Sequence, residues 1–348
     1  MHFSAWRNVC LLTREQPGSG TQAARHFRKQ AGDDMGKYII RRFIQLIPVL
    51  IGITFLSFGM MRLAGSDAVE ELYSNAGSAV SQEIIDAKRE ELGLDKPFLQ
   101  QYVNWLGGML RGDMGKSYVS GRDVFRTFTS KLPATLLLTA LSVLATVLIS
   151  IPLGVLAAVF HDGPADYILR FFSFIGNSMP NFFVAMLLMQ FLSIKLGLLP
   201  IIASGTDLRS AVMPTLTLAI AMSAKYMRQV RATVLEELNK DYVTGARARG
   251  VRDSVILWKS VIKASMLTII TLLALSIGSL LGGTAIVENI FMWDGVGKLA
   301  VDAITMRDYP LIQAYVVWMA IIYVAVNLVT DLLYHALDPR IRLGVSRE

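Results

Sequence analysis

The sequence predicts an all-α integral membrane protein with six transmembrane helices and both termini in the cytoplasm. Three observations carry this. Hydrophobic residues make up 53% of the 348 and charged residues only 18%, against roughly 25% charged in a soluble domain. The apolar residues gather in six long runs, and a helix needs about 20 such residues to cross hydrocarbon. Lysine and arginine concentrate in three intervals that a six-span chain places on one side.

Taken in order, residues 1–34 contain "REQPGSGTQAARHFRKQAGDD", which is polar and lacks a sustained apolar period. They are expected to be a disordered extension. "VCLL" is too short for the apolar core of a secretory signal. Met35 opens "MGKYIIRRFIQLIPVL", a basic start running straight into the first span. This makes Met35 the expected true start and residues 1–34 an upstream addition, with a cytoplasmic tail as the other reading. The spans fall at about 43–61, 134–160, 169–194, 211–227, 264–286 and 312–333, with Pro152 expected to bend the second near its end. Residues 343–348 are a short tail.

Basic residues next to the spans set the orientation. Lys37, Arg41 and Arg42 precede the first span, and Arg340, Arg342 and Arg347 follow the last. Between the fourth and fifth lie Lys225, Arg228, Arg231, Lys240, Arg247, Arg249, Arg252, Lys259 and Lys263. Short basic loops stay in the cytoplasm, so loop 228–263 is cytoplasmic and the segment 62–131 lies outside. Within the latter, "SQEIIDAKREELGLDKPFLQQYVNWLGGML" reads as two short amphipathic helices broken at "GLDKP", a cap or docking surface.

Several function classes fall away. One cysteine, Cys10, and four scattered histidines offer no metal cage, so neither a metal site nor a cofactor is expected. The formal charge of +7 is explained by topology and gives no reason to invoke nucleic acid. There is no G-x-x-x-x-G-K-[ST] phosphate loop, so any ATPase must be a separate chain. No span pairs Ser and His with a carboxylate, and no catalytic residue is assigned. His335 sits at the end of the sixth span and reads as interfacial. A secondary transporter would carry ionisable groups at mid-membrane, and the span centres hold none. A channel would need a filter-like loop. Polar residues that lipid would not tolerate are the pathway candidates: Asn177, Ser178 and Asn181 around Pro180, where freed backbone can line a cavity. Glu288 and Asn289 follow the fifth span, either on the pathway or in an exposed outer loop. Met60 and Met61 read as packing rather than a soft-metal site.

In loop 228–263 the stretch "DYVTGARARG" combines small residues with a glycine stop. Gly245, Ala246 and Ala248 let another surface approach closely, and Gly250 suits a left-handed helix end. On its own this stretch also fits an ordinary solvated loop. Here the chain resembles the inner-membrane permease subunits of ABC importers, in the peptide/nickel branch. The branch pattern Tyr-Val-x-x-Ala-Arg-Ala-x-Gly fits Tyr242, Val243, Ala246, Arg247, Ala248 and Gly250. Further matching stretches are "LGLDKPFLQQY", "GDMGKSY", "LPATLLL", "IPLG", "SMPNF", "GGTAIVENIF", "GVGKLAVDAI", "RDYPLIQ" and "LDPRIR". Departures are Thr244-Gly245 for Glu-Ala, Met266-Leu267 for Leu-Pro, and Asp294 for a frequent proline.

The resemblance implies the type I importer permease fold. It also implies a subunit forming half of a translocation pathway, with Tyr242, Ala246, Arg247, Ala248 and Gly250 coupling it to an ATPase. The implied partners are a second homologous permease, cytoplasmic ATP-binding subunits and an extracytoplasmic substrate-binding protein, all around membrane lipid. Three stretches, "DAVEELYSN", "ENIFMWDGVG" and "RDYPLIQ", resemble nickel permeases most. They tilt the expected cargo to nickel, as a chelate or handed over by the binding protein, ahead of dipeptides or oligopeptides.

Overall fold

Helices account for most of the residues described in a computed structural model, namely 44, 45, 47–63, 73, 81–91, 93–203, 205 and 207–337. The extension 1–34 and the tail 343–348 lie outside the described residues. Among the described residues there is no strand beyond an isolated bridge, Lys116 to Asp123. Leu50–Leu337 form one compact unit.

Helix α1 is Ile47–Leu63. The outward-assigned segment holds α2 (Gln82–Glu91) and α3 (Phe98–Leu110), separated at the Gly-Leu-Asp-Lys-Pro turn. Helix α4 (Val124–Val159) starts at a capped end, where the Asp123 carboxylate accepts from the Arg126 amide at 2.7 Å. It runs through Pro133 and Pro152 without ending. Next come α5 (Pro164–Ser178) and α6 (Asn181–Leu188), the latter prolonged by a π turn, Met189–Lys195. The two are bent by 105°. Pro180 explains the break: its ring drives Met179 out of the helical region, to φ −84° and ψ 128°. Then follow α7 (Leu208–Leu238), α8 (Asp241–Ala248), α9 (Asp253–Ile256), α10 (Ile262–Phe291), α11 (Val296–Thr305) and α12 (Tyr309–Leu337).

By length and composition, Val124–Val159, Asp253–Ala274 and Tyr309–Thr330 can each cross a membrane, and the bent α5–α6 pair passes the same test together. In lipid, helices gain little from burying apolar side chains against each other, so close packing through small residues holds them. The α4–α7 seam does this. Thr135, Thr139, Ser142, Thr146 and Ser150 of α4 are all buried. Three of their hydroxyls donate back to carbonyls four residues earlier, at 2.7–2.8 Å, which hides their polarity. A Cβ on Gly154 would sit 2.6 Å from Val230 Cβ and 2.8 Å from the Met227 carbonyl, so only glycine permits this crossing. Helix α5 also packs on α7: Ser173 donates to the Ala224 carbonyl at 2.5 Å.

Candidate functional site

Helix α7 ends at Leu238, and α8 begins at Asp241 after two intervening residues. Asp241 lies in the first turn of α8 and Arg247 in its last, both placed to suit the helix dipole. Val243 is fully buried, in a cluster with Val234, Ile256 and Val261, and Ala246 packs partly against that cluster. Tyr242, Arg247 and Ala248 face outward. The Tyr242 hydroxyl donates to Glu237 Oε2 at 3.0 Å. Its pKa is pushed up to about 12 by burial, then by the hydrogen bond to Glu237 and that carboxylate's charge. Arg247 Nε donates to Asp253 Oδ1 at 2.7 Å across the turn. Both side chains of this pair are more than half exposed, so it orients more than it stabilises.

The end of α8 is built around Gly250, at φ 76°. The Gly250 amide donates to the Arg247 carbonyl at 2.9 Å and the Val251 amide to the Ala246 carbonyl at 3.2 Å, the paired bonds of a Schellman stop. A Cβ on Gly245 would meet only Arg249 Nη1 at 3.6 Å. Gly245 is therefore free of internal packing and leaves that face of α8 low and open. The residues singled out from the sequence thus share one short helix and its terminus. Val243 fits the branch pattern but was not counted among the coupling residues, and it is the residue that seats the helix.

Asn177, Ser178, Pro180 and Asn181 gather at the 105° bend. Asn177, Ser178 and Pro180 are exposed and Asn181 half-buried. Ser178 Oγ donates to the Phe174 carbonyl at 2.9 Å, within its own helix.

Glu288 corrects the outer-loop expectation: it is wholly buried in the last turn of α10. Its carboxylate accepts from Thr135 Oγ1 at 2.7 Å and from the Lys298 amide at 3.0 Å. Thr135 Oγ1 also accepts from the Val296 amide at 2.9 Å. The N-terminus of α11 is therefore capped from another helix, and its free amides supply the donors a buried carboxylate needs. Beside it, Trp293, fully buried, donates to the Ala134 carbonyl at 3.0 Å. A Cβ on Gly297 would lie 2.6 Å from Ala285 Cα, so α11 can reach the carboxylate only with glycine there.

Two further polar joints join residues whose pairing the sequence did not show. Asp166, fully buried in the first turn of α5, accepts from Arg231 Nε and Nη2 of α7, each at 2.6 Å, and from the Asp162 amide at 3.0 Å. Asp308, just before α12, is also buried and accepts from Ser117 Oγ and, at 3.1 Å, from the Tyr118 amide. Burial pushes the nearby Tyr118 phenol above its ordinary value. Among the described residues, no group of three His, Cys, Asp or Glu side chains could hold a metal ion.

Residues 150–343 match the model of the family described as binding-protein-dependent transport system inner membrane component. Residues 35–139 match that of the N-terminal part of such membrane components. The oligopeptide transport system permease protein AppB of Bacillus subtilis is 39% identical over 319 residues, covering 88% of this chain and 99% of its own length. The glutathione transport system permease protein GsiC of Pectobacterium atrosepticum is 37% identical over 308 residues, and that of Escherichia coli K12 35%, with the same coverage. Among solved structures, the inward-facing MetNI methionine ABC transporter matches with a TM-score of 0.51 at 16% identity, over 61% of this chain and 96% of that one. That likeness concerns the fold.

Proposed function

The chain belongs to the family of inner-membrane components of binding-protein-dependent transport systems, and from that premise we propose that it passes short peptides through the membrane. It is a multi-pass permease subunit of an ABC importer, and ATP hydrolysis belongs to separate subunits. Its partners are a second permease, ATP-binding subunits and a substrate-binding protein. The relatives named for oligopeptide and glutathione carry the cargo reading. They move it away from nickel, the cargo the sequence motifs tilted toward. Peptides also suit the neutral amides of Asn177 and Asn181 and the backbone freed at Pro180, which we place on the pathway together with Ser178. The test is uptake of labelled dipeptide, glutathione and nickel by cells with and without this chain. Loss of peptide uptake on deletion is the expected result, and loss of nickel uptake alone would replace the cargo.

The proposed orientation has six crossings, both termini and loop 228–263 in the cytoplasm, and residues 62–131 outside. Helix α8 then faces the ATPase, with Tyr242, Ala246, Arg247, Ala248 and Gly250 as its coupling residues. Val243 holds it on its own subunit, so a push on α8 is delivered to α7 instead of being lost in a loose loop. Gly250→Leu tests this. A left-handed leucine costs about 1–2 kcal/mol, enough to unwind the stop but not the bundle. The complex should still insert, while ATP-driven uptake drops at least tenfold. Normal uptake by that variant would remove α8 from the coupling role.

A further inference from the structure

We propose that α3 is embedded in one leaflet of the bilayer, lying alongside α1 with its leucine stripe against lipid acyl chains. The sequence assigned this stretch to an extracytoplasmic cap, and the contacts place it deeper. The Tyr102 hydroxyl lies 2.9 Å from that of Thr54 and 3.4 Å from the Ile51 carbonyl. Thr54 is seven residues short of the end of the apolar run 43–61, about 10 Å below it along the helix axis. Rings continue the contact: Phe98 and Tyr102 each meet Phe55 and Phe58 edge-on at centroid distances of 5.3–5.7 Å, and Trp105 lies 5.6 Å from Phe58.

The composition of α3 fits that depth. No charged residue occurs between Lys96 and Arg111, whereas six of the ten residues of neighbouring α2 are charged. The aromatic face of α3 covers α1. A second apolar stripe beside it stays bare, with Leu99 63%, Val103 58% and Leu110 81% exposed. These positions recur at helical spacing, and water would penalise each by about 1.5 kcal/mol or more. Where α3 meets α1 there is also a cavity of about 340 Å3 lined by Phe55, Leu56, Gly59, Met60, Leu63 and Phe98, with Arg62 the one charged residue in its lining. Such an apolar recess suits a lipid acyl chain, while the Arg62 guanidinium is turned to Gln101 and the Leu94 carbonyl. The depth of α3, unlike its side of the membrane, does not rest on the orientation proposed above.

The test uses the assembled complex in phospholipid nanodiscs, with spin labels placed singly at positions 83, 99, 103 and 110. Oxygen, which concentrates in the bilayer, should relax the labels at 99, 103 and 110 at least threefold more than a water-soluble paramagnetic chelate does. Position 83 should show the reverse. Strong relaxation of position 103 by the chelate would put α3 in water. Protection from both agents would mean that a protein partner covers the stripe. Either result overturns the proposal.

Discussion

Asp166→Ala is expected to destabilise the subunit by about 3–5 kcal/mol, because it strands the Arg231 guanidinium in a buried place. Arg231 points both of its parallel donors at this one carboxylate, and its side chain is only 16% exposed. Arg170, 3.7 Å from Asp166 Oδ1, loses its partner as well. Thermal unfolding of the reconstituted complex measures the loss. The informative comparison is the double variant Asp166→Leu with Arg231→Met, which removes both charges and keeps the volume. Buried pairs exchanged for apolar residues are often neutral, so it should regain most of the lost stability. A double variant as unstable as the single one would show that the joint is not an isolated pair. The joint ties the first turn of α5 to the part of α7 that leads into α8.

Glu288→Ala should cost about 3 kcal/mol or more and lower the yield of folded complex. It uncaps α11 and leaves the Thr135 hydroxyl and the Lys298 amide facing a void, and each orphaned buried donor costs about 1–3 kcal/mol. Glu288→Gln keeps one acceptor oxygen but turns an NH2 group toward donors, so it should lose an intermediate amount, about 1–2 kcal/mol. That order, glutamate above glutamine above alanine, is read from thermal midpoints at one pH. Equal losses for glutamine and alanine would mean that charge, not the count of acceptors, holds α11.

What could be read from the sequence was local. Gly250 could be recognised as a stop because a left-handed helix end is a preference of one residue type at one place. The residues proposed for coupling could be grouped because they fall within one short stretch, 242–250. Pro180 was read as freeing backbone inside one span, 169–194, whereas the chain breaks there by 105°, an angle that depends on what α5 and α6 pack against. The apolar run near 134 missed the start of α4, since Asp123 caps a helix whose first turns carry Arg126 and Lys131 and are too polar to score as membrane. Glu288 was misread for a related reason: the last acid after an apolar run looks like its watery end. Its partner Thr135 lies 153 residues away, and Arg231 lies 65 from Asp166. The quoted stretches were visible one at a time, and their pairing was not. "LPATLLL" meets "GGTAIVENIF" and "GVGKLAVDAI" through Thr135, Glu288 and Val296, and "GDMGKSY" meets "RDYPLIQ" through Ser117 and Asp308.

The tight contact of α4 and α7 at Gly154 and Val230 divides α7 into unequal arms. From Val230 to Leu238 is about 12 Å, and from Val230 back to Leu208 about 33 Å. The seam continues on both arms: Ala134 and Leu138 of α4 cluster with Ala211, Met213 and Leu218 on the long one, and Val155 and Ala158 with Val230 and Val234 on the short one. With no side chain at residue 154 the two long helices close on each other along their whole seam, and any larger residue there would wedge both arms apart at once.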